Sequence, residues 1–276
     1  MGRFASTVAY YENARPPYGA AFFAAVAREL GFNRSQRLLD IGAGPGLLAI
    51  GFAPYCSEVV GVDPEPAMVE AARSGGTRAG VAVEFIDGRF EDLAAGLGAF
   101  DVVTIGRAIH WLDPGPARTA LDRVVKPLGR ILVCHASSVD DGRNPWLGAF
   151  KAIRNRWRDD RPKRDRDVFF AGGPFVPRGT ISVETAATFP VERLADRILS
   201  MSTSSPERLG DNVPAMRNAM REALASFATE GEILDIVEAQ AEVFERAAPN
   251  QAPVRLTPSA SAGPRSRSSS RACPKE

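Results

Sequence analysis

Apolar and polar positions along the chain alternate between short strand-like runs and stretches with helical spacing. An apolar strand ends at Leu39-Asp40-Ile41, a glycine-rich turn follows, and a helical pattern begins at Leu47. Ser57 to Asp63, Val81 to Asp87, Phe100 to Gly106 and Ile131 to Cys134 read as further strands. An apolar helix is predicted from about Ala20 to Leu30, and another from about Ala117 to Val125. The second stops at the turn Lys126-Pro127-Leu128-Gly129-Arg130. Beyond the fifth strand, Trp146, Phe150, Ile153 and Trp157 recur at helical spacing, with charged residues on the opposite side. Thr180 to Phe189 reads as a strand, and Val191 to Met201 and Pro206 to Ala228 as helices. Ile236 to Val243 alternates as a strand does, although its Ala and Glu content also suits a helix.

The first strand runs into Asp40-Ile41-Gly42-Ala43-Gly44-Pro45-Gly46. Glycines at that spacing let the chain turn sharply and bring backbone N–H groups against a ligand, where a β-carbon would obstruct. A dinucleotide fingerprint needs glycines at the first, third and sixth positions, and the sixth position counted from Gly42 is Leu47. What stands is Asp-x-Gly-x-Gly-x-Gly, whose acid suits a ligand carrying an ammonium group better than a pyrophosphate. The second strand ends in Asp63, a position from which a carboxylate can accept both hydroxyls of a ribose. Asp63-Pro64-Glu65-Pro66 is equally a turn and helix start, and the two roles are compatible.

These segments resemble the motifs of class I S-adenosylmethionine-dependent methyltransferases, with ordered matches from residue 38 to residue 134. The resemblance implies a doubly wound, seven-stranded, mostly parallel sheet with an antiparallel last strand and a mainly helical substrate cap. It implies S-adenosyl-L-methionine as cofactor, held by Asp40, Gly42, Ala43, Gly44, Gly46, Asp63, Pro64 and Met68. Arg89 and Phe90, just after the third strand, would lie at the adenine, although Phe90 also fits a core position. Gly106, ending the fourth strand, would open onto the transferred methyl group. The arm Tyr10-Tyr11-Glu12-Asn13-Ala14-Arg15-Pro16-Pro17-Tyr18 looks like the family's cofactor-covering segment, with Tyr11, Arg15 and Tyr18 approaching the methionine end. Arg15 could pair with a carboxylate of the cofactor or of the substrate.

Only two histidines occur, His110 and His135, and both follow predicted strands at the sheet edge where ligands bind. His110 is the candidate base or substrate ligand, since its strand faces the methyl. His110-Trp111 resembles a subgroup acting on small organic acids or hydroxyl-bearing metabolites. Topology would gather Asp40, Asp63, Asp87, His110 and His135 near one cleft. A carboxylate acceptor would need no base, and Arg15 or Arg107 would bind it.

Composition narrows the remaining choices. The 276 residues, 45% of them hydrophobic, suffice for a full core, and no uninterrupted apolar run approaches the roughly 18 residues of a membrane span. Cys56, Cys134 and Cys273 are widely spaced and suggest neither disulfides nor a metal site. A net charge of +1 argues against a general polyanion surface. Lys151 to Asp167 is rich in Lys and Arg, but its acids at helical spacing favour a solvated face over a nucleic-acid surface. The start of the chain lacks the apolar run of a secretory signal, so cytoplasmic residence is expected. We therefore expect one methyltransferase domain over 1–249, as monomer or homodimer, moving a methyl group to an oxygen, nitrogen or carboxylate of a small molecule without nucleic-acid or membrane partners; the alternative is an RNA or protein methyltransferase, or a non-catalytic cofactor-binding homologue. It would comprise an N-terminal arm (1–30), a cofactor-binding core (about 31–137) and a cap with the last strands (about 138–249). Residues 250–276, rich in Pro, Ser, Ala and Arg, are expected to form a disordered tail.

Overall fold

Side chains alternate across a strand, so neighbouring apolar residues of a buried strand must find cores on opposite faces. Leu38 and Leu39 of β1 (Arg37–Ile41) do so, as do Val102 and Val103 of β4 (Phe100–Gly106). Both strands are sheathed on each side by helices. The structure is a computed structural model that describes residues 7–158 and 169–247. On one face α2 (Gly19–Glu29), α3 (Leu47–Phe52) and α4 (Pro66–Ala79) bury Phe22, Phe23, Val26, Phe52 and Val69 against Leu38, Val59 and Val102. On the other, α5 (Phe90–Leu93) and α6 (Pro114–Val124) bury Phe90, Ala117 and Leu121 against Leu39, Ile41, Val103 and Ile105.

β1, β2 (Glu58–Asp63), β3 (Glu84–Asp87), β4 and β5 (Val125–Ser138) pair in parallel. β7 (Glu232–Arg246) runs antiparallel to both β5 and β6 (Phe175–Pro190), completing a seven-stranded sheet in the order β3-β2-β1-β4-β5-β7-β6. The chain moves outward from β1 to β3 and then returns to the other side of β1 with β4. This switch point opens a crevice beyond the C-terminal ends of β1 and β4, where open α/β sheets bind ligands.

A third apolar cluster forms the cap. Trp146 and Phe150 at the start of α7 (Leu147–Arg156) pack with Leu194, Ile198 and Leu199 of α8 (Glu192–Leu199). Met216, Met220 and Leu224 of α10 (Val213–Leu224) complete it. The arm helix α1 (Val8–Ala14) lies against α8, and Tyr10 packs on the cap cluster. The arm thereby bridges the cap and the sheet.

Several boundaries differ from the sequence reading. β5 begins directly after α6 and runs to Ser138, because its second half pairs with β7 instead of ending at the crevice. Pro206 to Ala228 is not one helix. Gly210, at φ +51°, ends the short α9 (Pro206–Leu209), and α10 starts after a 3-10 turn at Gly210–Asn212. The ambiguous final segment is a strand, and its alternation buries Ile233, Val237, Ala239, Ala241 and Val243 along one face. The expected tail and part of the basic run after Lys151 lie outside the described residues. No helix among those described is long and apolar enough to cross a membrane.

Candidate active site

The glycine turn sits at the switch point. Gly42 and Ala43 donate their N–H groups to the Val62 carbonyl at 2.9 and 3.0 Å, tying the turn to β2. Gly42, Gly44 and Gly46 have φ of +65°, +55° and +83°. A β-carbon at Gly42 would stand 2.5 Å from that of Ala108, and one at Gly46 2.8 Å from the Phe85 ring, whereas space beside Gly44 is open. The outer glycines are required by packing, and the central one by its left-handed backbone.

Two carboxylates brace this turn. Asp63 accepts the Gly44 N–H at 2.8 Å on Oδ2 and the Glu65 N–H at 2.9 Å on Oδ1. Each oxygen retains a second lone-pair direction for a ligand hydroxyl. Burial raises the Asp63 pKa, opposed by these two N–H donors. Asp40 is 1% exposed and accepts the Thr104 hydroxyl at 2.7 Å and the Ala49 N–H at 3.2 Å. Burial outweighs both bonds and pushes its carboxyl up to about 7.

Asp40, Gly42, Ala43 and Gly106 line a narrow cleft together with Tyr11 and Tyr18 from the arm region and Arg107. Arg107 follows β4 with φ +57°, a conformation that a non-glycine residue adopts at a cost of about 1–3 kcal/mol. Its Nη2 donates to the carbonyls of Pro16 at 2.6 Å and Ala136 at 3.1 Å, and its guanidinium lies 5.0 Å from the Tyr18 ring centre. Tyr18 in turn donates its hydroxyl to the Cys134 carbonyl at 3.3 Å.

Two more arginines stand where arm meets cap. Arg15 donates from Nη2 to the Ser200 carbonyl at 2.9 Å, and its guanidinium lies 5.0 Å from the Tyr11 ring centre. Its Nε is shut off from solvent without a partner among the described residues. Burial, opposed by Tyr11 and reinforced by Arg107 and Arg197, pushes its pKa down to about 10. Arg197 of α8 donates to the Ala14 carbonyl at 3.0 Å, the Ser138 hydroxyl at 2.9 Å and Asp235 Oδ2 at 2.9 Å. One guanidinium thus joins the arm, β5, α8 and β7.

A family model described as a methyltransferase domain matches residues 39–133, the segment carrying the glycine turn, Asp63 and β4. An uncharacterized methyltransferase of Mycobacterium tuberculosis is 32% identical over 204 residues, which cover 72% of this chain and 76% of that relative. The chain belongs to the S-adenosylmethionine-dependent methyltransferases. The uncharacterized methyltransferase YcgJ of Bacillus subtilis is 38% identical over 135 residues, 48% of this chain, and the match spans about half (52%) of that relative. A solved structure from Anaeromyxobacter dehalogenans shares the fold, with a TM-score of 0.59 at 21% identity over 84% of this chain and 97% of that one.

For a methyltransferase, the donor set fits the cofactor expected. The spare lone pairs of Asp63 complement a diol, and the acid of Asp40 on the cleft wall complements an ammonium group. Other expected residues stand apart from the cleft lining. Met68 is buried on α4 and Pro64 is exposed at its entrance. Arg89 is exposed and paired with Glu91 and Asp92. Phe90 is 2% exposed within the core cluster that includes Ala94 and Ile109, so its side chain takes the core position that the sequence also allowed. His110 is half-buried in the 3-10 turn after β4, its ring 4.8 Å from that of Trp111. His135 is exposed within β5 opposite Gln240 and does not line the cleft, because β5 extends past it to Ser138. Thr104, Arg197 and Asp235 were absent from the sequence-based set and enter it only through contacts between distant segments.

Proposed function

We propose that this methyltransferase moves the methyl group of S-adenosylmethionine to an oxygen, nitrogen or carboxylate of a small-molecule metabolite. The observation that carries the small-molecule reading is the arm. Tyr11 of α1 and the glycine turn line the same cleft, with the cap packed behind α1. In this reading the acceptor reaches the methyl group between arm and sheet, at a cleft covered by Tyr11 and Tyr18, an arrangement that favours a small metabolite over a polymer strand.

In this reading Asp63 holds the ribose hydroxyls and Asp40 the ammonium. The backbone from Gly42 to Gly46, with Ala43, cradles the nucleoside. Pro64, Met68, Arg89 and Phe90 flank the adenine side, the last through its backbone. Gly106 borders the methyl, while Tyr11 and Arg15 close over the methionine end. When bound, the cofactor supplies a sulfonium methyl that is already electrophilic. The protein's own work is to align the acceptor, exclude water and take up a proton where the nucleophile carries one. His110, in the turn after β4, would take that last task or hold the acceptor, and the half-exposed Trp111 ring beside it would offer an apolar wall.

The test has two stages. Calorimetric binding of S-adenosylhomocysteine checks the cofactor site, and absence of binding would refute it. Labelled methyl transfer is then screened across small acids, phenols, amines and RNA, and transfer to RNA alone would refute the small-molecule reading. His110→Ala is expected to lower turnover while leaving S-adenosylhomocysteine binding intact. Unchanged turnover would remove both roles of His110.

A further inference from the structure

Arg197 is a charged residue set inside an apolar cap. Its guanidinium lies 5.9 Å from the ring centres of Trp146 and Phe150 and 5.5 Å from that of Phe189, and all three rings are buried in the cap cluster. Asp235 meets it from β7, and the neighbouring Leu234 carbonyl accepts the Trp146 Nε1–H at 2.8 Å. One stretch of β7 therefore anchors both the ion pair and a ring that encloses it. An ion pair so buried is as a rule no more stabilising than apolar side chains of the same volume. Stability does not account for an arginine there, but its remaining donors do. Nε bonds the Ala14 carbonyl at 3.0 Å and Nη1 the Ser138 hydroxyl at 2.9 Å, a reach to three fixed acceptors that only a guanidinium fork provides.

The bond to Ala14 matters because α1 cannot place itself. Its seven residues make two turns, too few to persist without neighbours. Ala14 ends the helix, so its carbonyl is one of the last four, which have no partner within a helix. Tyr11, the residue of α1 that lines the cleft, stands one turn earlier on the same side of the helix. Beyond Ala14 the chain is stiff, since Pro16 and Pro17 fix their own φ and the Pro16 carbonyl is held by Arg107 at 2.6 Å. Bonds also cross the joint in both directions. Arg197 of the cap donates to the arm, and Arg15 of the arm donates to the Ser200 carbonyl at the end of α8.

We propose that Arg197, held by Asp235 and the three rings, is a positioning residue for methyl transfer, whose grip on the Ala14 carbonyl keeps α1 closed on the crevice and Tyr11 over the bound cofactor. This rests on the assignment of Tyr11 to the cofactor made above. Neither Arg197 nor Asp235 lines the cleft, so both act on the cofactor only through the arm. Releasing the grip lowers the fraction of molecules with the arm closed, and apparent affinity falls by that fraction.

The experiment measures S-adenosylhomocysteine binding by calorimetry on the full chain in four forms: wild type, Tyr11→Ala, the pair variant Arg197→Met/Asp235→Leu, and all three substitutions together. Replacing both members of the pair leaves no lone buried charge. The pair variant is expected to bind about tenfold more weakly, the worth of one hydrogen bond from a charged donor. Tyr11→Ala should bind more weakly by a similar factor, and the triple variant no more than about twofold more weakly again, because the two changes act through one element. Amide exchange over residues 8–14 should be faster in the pair variant, while 213–224 of the cap exchange as in the wild type. Arg197→Lys gives an independent reading: it keeps a cation beside Asp235 but loses the fork, and should melt close to the wild type while binding as weakly as the pair variant. A merely structural role would leave the coupling to Tyr11 at zero. Losses that multiply, to about a hundredfold in the triple variant, would therefore overturn the proposal and leave the cofactor site standing. Wild-type affinity in the pair variant or in Arg197→Lys would overturn it as well. Wild-type affinity in Tyr11→Ala would overturn it together with the assignment of Tyr11, and absence of binding to the wild type would overturn it together with the cofactor site.

Discussion

If Asp40 holds the cofactor's ammonium, as proposed, its protonation is coupled to cofactor binding, and the direction of the coupling follows from its surroundings. Its carboxyl is buried and titrates at about 7 instead of the ordinary 3.8. A difference of roughly 3 units corresponds to about 4 kcal/mol. Because the folded-state pKa is raised, the folded protein holds the proton more tightly than the unfolded chain. The associated stability is full below pH 3.8, falls as pH rises, and is lost once pH passes about 7. An ammonium ligand needs the ionised form. Binding of S-adenosylhomocysteine should therefore tighten about tenfold per pH unit below 7 and level off above it, standing about twofold short of its limit at pH 7.

Asp40→Asn separates the two effects. The amide carries no ionisation cost, so above pH 7 the unliganded variant should melt several degrees higher than the wild type, within the ceiling of about 4 kcal/mol set by the pKa shift. It cannot pair with the ammonium, so its affinity for S-adenosylhomocysteine should be lower at every pH above 7 and flat from pH 5.5 to 8. Calorimetry across that range, with thermal melts of both proteins at pH 5.5 and 8, gives all four quantities. A flat wild-type binding profile, or an Asp40→Asn variant that binds as tightly as the wild type at pH 8, would refute the assignment of Asp40 to the ammonium. The Thr104 hydroxyl holds the Asp40 pKa down. Thr104→Val should accordingly move the midpoint of the binding profile to higher pH.

Three other perturbations test separate parts of the site. Asp63→Ala removes the acceptor of the Gly44 and Glu65 N–H groups as well as the proposed ribose ligand, and should weaken S-adenosylhomocysteine binding by at least about ten- to a hundredfold in calorimetry, the loss expected from a single charged hydrogen bond of about 1.5–3 kcal/mol. Gly42→Ala places a β-carbon 2.5 Å from that of Ala108 at a φ of +65°, and a stability loss of at least about 1–3 kcal/mol is expected by urea unfolding. Arg197→Met and Asp235→Leu should each cost about 3–5 kcal/mol by leaving one buried charge alone, whereas the double variant should cost less than either single one, with the coupling read from a double-mutant cycle.

The parts of this protein legible in the sequence are those whose cause is local. The turn from Asp40 to Gly46 is recognisable because three glycines with positive φ are needed within five residues. Asp63 is recognisable because its carboxylate braces that same turn from the end of the neighbouring strand. The alternation of β7 is legible for the same reason, since one face of the strand is buried along its length. Strand ends were less legible. His135 reads as the residue that follows a strand, but pairing with β7, more than a hundred residues later, carries β5 beyond it. Such pairing has no signature in the segment itself.

Arg197 and Asp235 show how a long-range site can still leave a trace. Arg197 lies on a helix, Glu-Arg-Leu-Ala-Asp-Arg-Ile-Leu, in which charges normally mark a solvated face, so nothing local distinguishes it. Asp235 is different. It falls between Ile233 and Val237, in phase with the buried face of β7, and an acid there must be paired or neutral. That phase predicts a buried cation somewhere among the remaining arginines, and the structure supplies Arg197, whose other two donors fix the end of the arm helix and Ser138 at the end of β5.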